Sequence, residues 1–207
     1  GEEGGAIQSH FVYEHRDKTS RKSEYKEPDT KIGDYPPEQL DENIVNPNQI
    51  RTIIREFKNK LPEIFPGRET VPKTLIFAKD DSHAEDITRI INEVFNESNE
   101  FCKKITYTAT NPDNLIKQFR NSVNPRIAVT VDMIATGTDV KPLEIVMFMR
   151  KVKTRTYYDQ MVGRGSRVLT TTEFQRVTPQ ATAKKQHKTH FVLIDTVGVT
   201  EAIKTEA

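Results

Sequence analysis

The sequence predicts an α/β domain: a mostly parallel sheet with helices on both faces. Short apolar runs of strand length alternate with stretches whose apolar residues recur at helical spacing. That alternation implies right-handed crossovers between parallel strands. Residues 143–149 (L-E-I-V-M-F-M) form a near-continuous apolar run, as a strand covered on both faces requires. At 207 residues the chain is long enough for one well-buried domain plus appendages, and it holds no internal repeat.

Taken in order, residues 1–45 read as a charged linker with six basic and eleven acidic residues. Phe11, Val12 and Tyr13 can start one short strand and residues 24–26 another, giving at most a charged hairpin. The run E-Y-K-E-P-D has a superficial likeness to nuclease elements, but in reversed order and without a core strand to hold it, so a solvated linker is expected. The domain proper is expected over 46–207. Asn46 and Pro47 signal a helix start, and Ile50, Ile53, Ile54, Phe57 and Leu61 give it one apolar stripe. Pro62, Pro66, Gly67 and Pro72 are expected to end it. Residues 73–78 read as a buried strand. Ser82 and Glu85 suggest a capping box, followed by a helix striped by Ala84, Ile87, Ile91, Val94 and Phe95. Ile105 and Tyr107 mark a second strand, and Asn111-Pro112 caps a helix carrying Leu115, Ile116 and Phe119.

Ile127, Val129 and Val131 begin the most informative stretch. A Thr- and Gly-rich turn ends in Asp139, the apolar run follows, and Thr154 can cap a helix that leads into Q-M-V-G-R-G-S-R. Gln160, Arg164 and Arg167 stand at i, i+4 and i+7, one face of a helix if it persists that far. Gly163 and Gly165 each weaken a helix by about 1 kcal/mol, which puts the arginines at its fraying end, able to reach toward an anion. Residues 169–188 have few apolar side chains and no period, so they are expected to be a flexible loop that proteases nick early, along with residues 1–37. Residues 190–195 supply a last strand. In such sheets ligands sit at the carboxyl ends of the strands, here the loops 79–82, 132–139 and 150–154.

Charge is unevenly spread. The net charge is +1, but residues 150–188 hold ten Lys and Arg against Asp159 and Glu173. Such a basic segment suits a phosphate-binding face, although Lys184, Lys185 and Lys188 read more simply as a solvated basic loop. A single cysteine, Cys102, cannot form an internal disulfide, which fits a reducing cytoplasm. No apolar run approaches the roughly 18 residues a membrane span needs, so no membrane partner is expected. One cysteine and five scattered histidines suggest no metal site. The chain starts G-E-E-G-G without a methionine and is expected to be a piece of something larger.

T-G-T-D followed by Q-x-x-G-R-G-x-R resembles motifs V and VI of superfamily 2 helicases and translocases. The longer pattern V-T-V-D-M-I-A-T-G-T-D with D-Q-M-V-G-R-G-S-R resembles the motor (R) subunit of type I restriction enzymes, over about residues 46–202. The resemblance implies a second RecA-like lobe of the P-loop NTPase type, one half of an ATP-driven DNA translocase. It implies arginine fingers at Arg164 and Arg167, and nucleotide contacts or coupling at Asp139 and Gln160, with Gly137 letting backbone approach closely. A local turn at Asp139 and a solvated Gln160 are the alternatives. Motif IV matches residues 73–83, which places Lys79 in a DNA-facing loop. Many RNA-helicase relatives carry Thr and Arg where Val131 and Thr136 stand here, so the hydroxyl contact to phosphate passes to the weaker candidates Thr130 and Asp132. The implied partners are double-stranded DNA, an N-terminal RecA-like lobe of the same polypeptide, and methyltransferase and specificity subunits. A strand-separating superfamily 2 helicase lobe, or a non-catalytic scaffold lobe binding DNA or partners, are the competing readings.

ATP and Mg²⁺ are expected to be held mainly by the other lobe. The sequence has no G-x-x-x-x-G-K-[ST] loop to cradle phosphates and no evident acidic pair for the metal. The isolated chain is therefore expected to fold without measurable ATP hydrolysis. DNA-stimulated turnover that co-purifies with it through every column would reject that half-site reading.

Overall fold

The computed structural model describes residues 12–17, 23–26, 46–132, 139–152, 154–164 and 167–197. Its strands are β1 (Val12–Asp17), β2 (Ser23–Lys26), β3 (Thr74–Phe77), β4 (Cys102–Lys104), β5 (Ile127–Thr130), β6 (Ile145–Phe148) and β7 (His190–Asp195). They form a seven-stranded sheet in the order β2-β1-β7-β6-β3-β5-β4. The five strands from β7 to β4 are mutually parallel, with Thr74 opposite both Ile127 and Ile145. β1 runs antiparallel to β7 and to β2, so the hairpin expected within the linker extends the main sheet.

Every residue of β3, β5 and β6 is buried. Successive side chains of a strand point to opposite faces, so both faces of the sheet are covered. The helices that cover them are α1 (Pro47–Ile64), α2 (Asp81–Phe95), α3 (Pro112–Asn121), α4 (Arg155–Gly163), α5 (Thr171–Val177) and α6 (Pro179–Ala183). Asn46 accepts the Asn48 N–H at 2.9 Å and Asn111 the Asn114 N–H at 3.2 Å, each followed by a proline in the first turn. α1 and α2 meet through Phe57 and Phe95, whose ring centroids lie 6.1 Å apart. Over β6, Tyr158 of α4 stacks on Phe148, and Phe148 on Phe77 of β3.

Three local expectations are corrected. Pro62 lies inside α1 rather than ending it. In the last turn it forfeits one ladder bond, and the Phe65 N–H still closes on the Leu61 carbonyl at 2.8 Å; the chain turns at Gly67, with φ of +73°. The cap of α2 is Asp80, whose carboxylate accepts the His83 N–H at 2.8 Å, and Ser82 falls within the helix. The strand placed around Ile105 and Tyr107 is β4, three residues earlier; Ile105 is buried beyond its end and Tyr107 is 74% exposed. Asn92 fixes that register by exchanging hydrogen bonds with the Cys102 backbone at 3.1 and 3.2 Å.

The largest correction concerns residues 169–188, which hold two helices instead of the expected flexible loop. Thr170 and Glu173 make a reciprocal capping box at the start of α5. Phe174, Val177, Thr178, Ala181 and Lys188 are all buried. Few apolar residues suffice because the segment closes over a buried polar network at the amino edge of the sheet. Arg126 donates to the carbonyls of Val71 and Val123 at 2.8 and 2.9 Å, to Thr178 Oγ1 at 3.2 Å, and to the Val177 carbonyl. Arg68 grips Glu144 with two bonds of 2.8 and 3.1 Å and lies over the Phe174 ring. Lys73 donates to the Ser122 and Pro125 carbonyls; burial, and then repulsion from Arg126, push its ammonium down to about 6.

This packing predicts that Phe174→Ala lowers stability by about 3–5 kcal/mol, the usual cost of emptying a buried phenylalanine site. Urea unfolding measures it. A loss below about 1 kcal/mol, the scale of a surface substitution, would mean that the helical pair is not packed in solution.

Candidate functional site

Polar residues of the carboxyl edge are held in two groups. Asp81, at the start of α2, accepts from Thr106 and Thr108 at 2.7 and 2.8 Å and from Lys104 at 3.0 Å. The Thr106 hydroxyl, followed by Lys104 and Thr108, draws the Asp81 carboxyl down to about 2. Lys79 is exposed, and its N–H donates to Nδ1 of the buried His83 at 3.0 Å, so the histidine braces the loop from inside. Beyond β5, Asp132 accepts from Arg150 at 3.1 Å and from the Tyr157 hydroxyl at 2.8 Å, and the Arg150 guanidinium lies over the Tyr157 ring. Ends of β5 and β6 are thereby tied to the first turn of α4.

A third group lies toward the opposite edge. Asp139 comes at the end of the connection from β5 to β6. Because those strands are parallel, the connection must return from the carboxyl edge to the amino edge. α4 returns in the same direction after β6. Arg167 Nε meets Asp139 Oδ1 at 3.0 Å, joining residues 28 positions apart. Arg164 is the C-cap of α4 and half-buried. Desolvation lowers its pKa, with Asp139 opposing and Arg167 reinforcing that shift, so the three charges sense one another. Asp139 also lines a cleft of about 310 Å³ with Arg120, Asn121, Lys141, Glu173 and Arg176. Lys141 pairs with Glu173 at 2.9 Å. Buried Lys188 donates to the carbonyls of Lys141 and Arg167 at 2.9 and 2.8 Å.

The expected site residues thus divide. Asp139, Arg164 and Arg167 are brought together, but near the amino edge, which corrects the expectation of one site on the carboxyl-edge loops. The helix stops at Gly163, so Arg164 caps it and Arg167 lies beyond it, off the shared helical face. Gln160 is exposed on α4. Lys79 and Asp132 are exposed at the carboxyl edge, whereas Thr130 is fully buried and its side chain offers no surface to DNA. Gly137, Thr136 and Gly165 lie outside the described residues. The roles of Arg150 and Tyr157 escaped the sequence reading, and Lys188, read as part of a solvated basic loop, is instead buried; their partners are distant in sequence and no local spacing marks them.

Chemically, two guanidinium groups beside one carboxylate leave a surplus positive charge suited to a polyanion. The Asp139–Arg167 pair is exposed on both sides, 43% and 60%, so it contributes only about 0–1 kcal/mol to stability and its value lies in geometry. Among the described residues no three His, Cys, Asp or Glu side chains gather as a possible metal site. No helix among the described residues is long and apolar enough to cross a membrane.

Comparison with known proteins places the fold. The pattern of the helicase conserved C-terminal domain matches residues 48–168, more than half of the chain. The chain is 31% identical over 105 residues to the EcoKI endonuclease subunit of a type I restriction enzyme of Escherichia coli K12, covering 46% of this chain and 9% of that protein. It is 27% identical over 143 residues to the EcoAI endonuclease subunit from Escherichia coli, covering 63% of this chain and 18% of that one. The chain therefore spans less than a fifth of these curated relatives. In fold it matches a fragment structure described as an HsdR subunit of a type I restriction enzyme from Vibrio vulnificus YJ016, with a TM-score of 0.58 and 20% identity over 78% of this chain and 30% of that one. The fold is RecA-like.

One consequence of the Asp132 cluster is a pH dependence. Burial first, and then the hydrogen bond to Asp132, push the Tyr157 phenol up to about 12. Its folded pKa lies above the unfolded value of 10.0, so it adds stability below pH 10 that is lost as pH rises toward 12. Phenolate absorbance should show one tyrosine ionising late, and Asp132→Asn should bring part of that shift back. A Tyr157 that ionises at the ordinary phenol value of 10.0 would refute the Asp132 bond.

Proposed function

This chain belongs to the helicase conserved C-terminal domain family, and on that premise we propose that it is the second motor lobe of an ATP-dependent DNA translocase, within the restriction subunit of a type I restriction enzyme. The observation that carries the reading is the meeting of Asp139 with Arg167, beside Arg164. They come from the two motifs whose resemblance is most specific. Similarity to two type I restriction endonuclease subunits supports the narrower assignment. In this reading the working protein includes an N-terminal RecA-like lobe of the same polypeptide, methyltransferase and specificity subunits, and double-stranded DNA.

Bound ATP, with Mg²⁺ held mainly by the other lobe, supplies the phosphoryl group whose transfer to water drives movement. Arg164 and Arg167 offer fixed positive charge where negative charge develops on that group, a contribution of about 10³ to 10⁵ in rate for an arginine finger. Arginine suits the task because it stays charged and presents a planar fork of donors. Asp139 orients Arg167 until the phosphate competes for it. Gln160, exposed one turn before Arg164, is the candidate to touch nucleotide or steady the arginines. At the carboxyl edge, Lys79 and Asp132 remain the candidates for the DNA-facing side.

The test uses the full-length protein with Arg164→Ala and Arg167→Ala made separately. Turnover is expected to fall by roughly 10³-fold, about 4 kcal/mol, while nucleotide binding weakens far less. Arg→Lys should rescue poorly, and the double variant should cost less than the sum of the singles. DNA binding should survive, because many phosphate contacts share that load. Near-normal turnover with lost DNA affinity would instead make these arginines DNA contacts and favour a scaffold lobe.

A further inference from the structure

The amino-edge cluster contains a cation that no sequence pattern assigns to the motor. Lys188 lies two residues before β7 and is only 6% exposed. Its ammonium donates to the backbone carbonyl of Lys141, two residues after Asp139, and to the backbone carbonyl of Arg167. The same side chain therefore joins the chain leaving the Asp139 turn to the chain leaving α4. These are the two segments whose side chains form the 3.0 Å Asp139–Arg167 pair.

We propose that Lys188 is a positioning residue for Arg167, holding its backbone in register with the Asp139 turn so that the guanidinium is presented to a phosphate in one direction. The proposal rests on the motor-lobe reading. Three physical points support it. A buried ammonium is costly unless hydrogen-bonded, and charge-assisted bonds to two carbonyls are strong and directional. The Arg167 side chain is 60% exposed, so it cannot be steadied by packing and must inherit its direction from its backbone and from Asp139. Finally, Arg167 lies beyond the end of α4 and has no helical ladder to fix its backbone. A plain space-filling role would ask only for a long apolar side chain, whereas the positions of the two carbonyls call for donors.

The experiment uses the full-length protein with Lys188→Met, which keeps length and bulk and removes the donors. Misplacing a catalytic group by about 1 Å can cost roughly 10²-fold. DNA-dependent turnover is therefore expected to fall on that order, with KM for ATP nearly unchanged. In an Arg167→Ala background the same change should cost little more, because its effect runs through Arg167. Hydrogen exchange of the nucleotide-free protein supplies a readout independent of turnover: protection should drop around Lys141 and Arg167 and stay intact in β3 and β5. Should Lys188→Met fail to fold, Lys188→Gln retains two N–H donors on a shorter arm and is expected to give a smaller loss with the same KM pattern. Normal turnover in a folded Lys188→Met protein, alongside collapsed turnover in Arg167→Ala, would overturn the positioning role and leave the motor reading standing. Losses that add fully in the double variant, or exchange that rises throughout the sheet, would overturn it in favour of general stabilisation. Normal turnover in Arg167→Ala itself would reject the motor reading on which the proposal stands.

Discussion

Arg126 is the group on which the lower half of the molecule depends. Its guanidinium is almost fully buried beside the start of β5 and donates to the chain before β3, to the chain before β5 and to the end of α5. Burial drives its pKa down to about 10, yet it remains charged near neutrality. Such a group is tolerated only when nearly all its donors are met. The α5–α6 pair meets two of those demands, at Val177 and Thr178, and so becomes part of the core although its sequence is mostly polar. Arg68 and Glu144 complete the same layer with a two-bond pair whose side chains are 7% and 1% exposed. Removing one partner of a buried pair leaves an uncompensated charge, a loss of about 3–5 kcal/mol.

That polar floor has a functional consequence. The parallel sheet forces every connection to travel its full height, so the ends of the β5–β6 connection and of α4 arrive beside the floor. Asp139, Arg164 and Arg167 therefore gather against a rigid base rather than on the carboxyl-edge loops. Lys141, Glu173 and Lys188 then link this cluster to α5 and to the start of β7. The carboxyl edge carries a separate set, with Lys79 exposed and Asp132 held by Arg150 and Tyr157. One end of α4 touches the second set through Tyr157 and its other end leads to the arginines. A single nine-residue helix thus connects the two edges.

Much of this was legible from residue order alone. The apolar runs determined β3, β6 and β7, the paired Asn-Pro signals determined where α1 and α3 begin, and Thr154 determined the start of α4, because each rests on local chemistry. The two motifs singled out which of many charged residues to expect at a site. Other features depend on groups far apart in sequence. Nothing local in residues 169–188 reveals that Phe174 covers Arg68, or that Lys188 is enclosed rather than solvated, because the first is set by a guanidinium, and the second by carbonyls, more than twenty residues away. The cap of α2 passed to Asp80 over Ser82 because the helix after β3 begins two residues earlier than the capping pattern suggests. Spacing placed Gln160, Arg164 and Arg167 on one helical face, but α4 ends at Gly163 and Arg167 is instead directed by Asp139. Sequence by itself determined the central parallel strands and the helices with local start signals, and singled out the residues to expect at a site, since these follow from short-range propensity and pattern. Only the tertiary structure decided which edge holds the arginines and which buried cations hold them there, since a buried charge finds its partners in space and not along the chain.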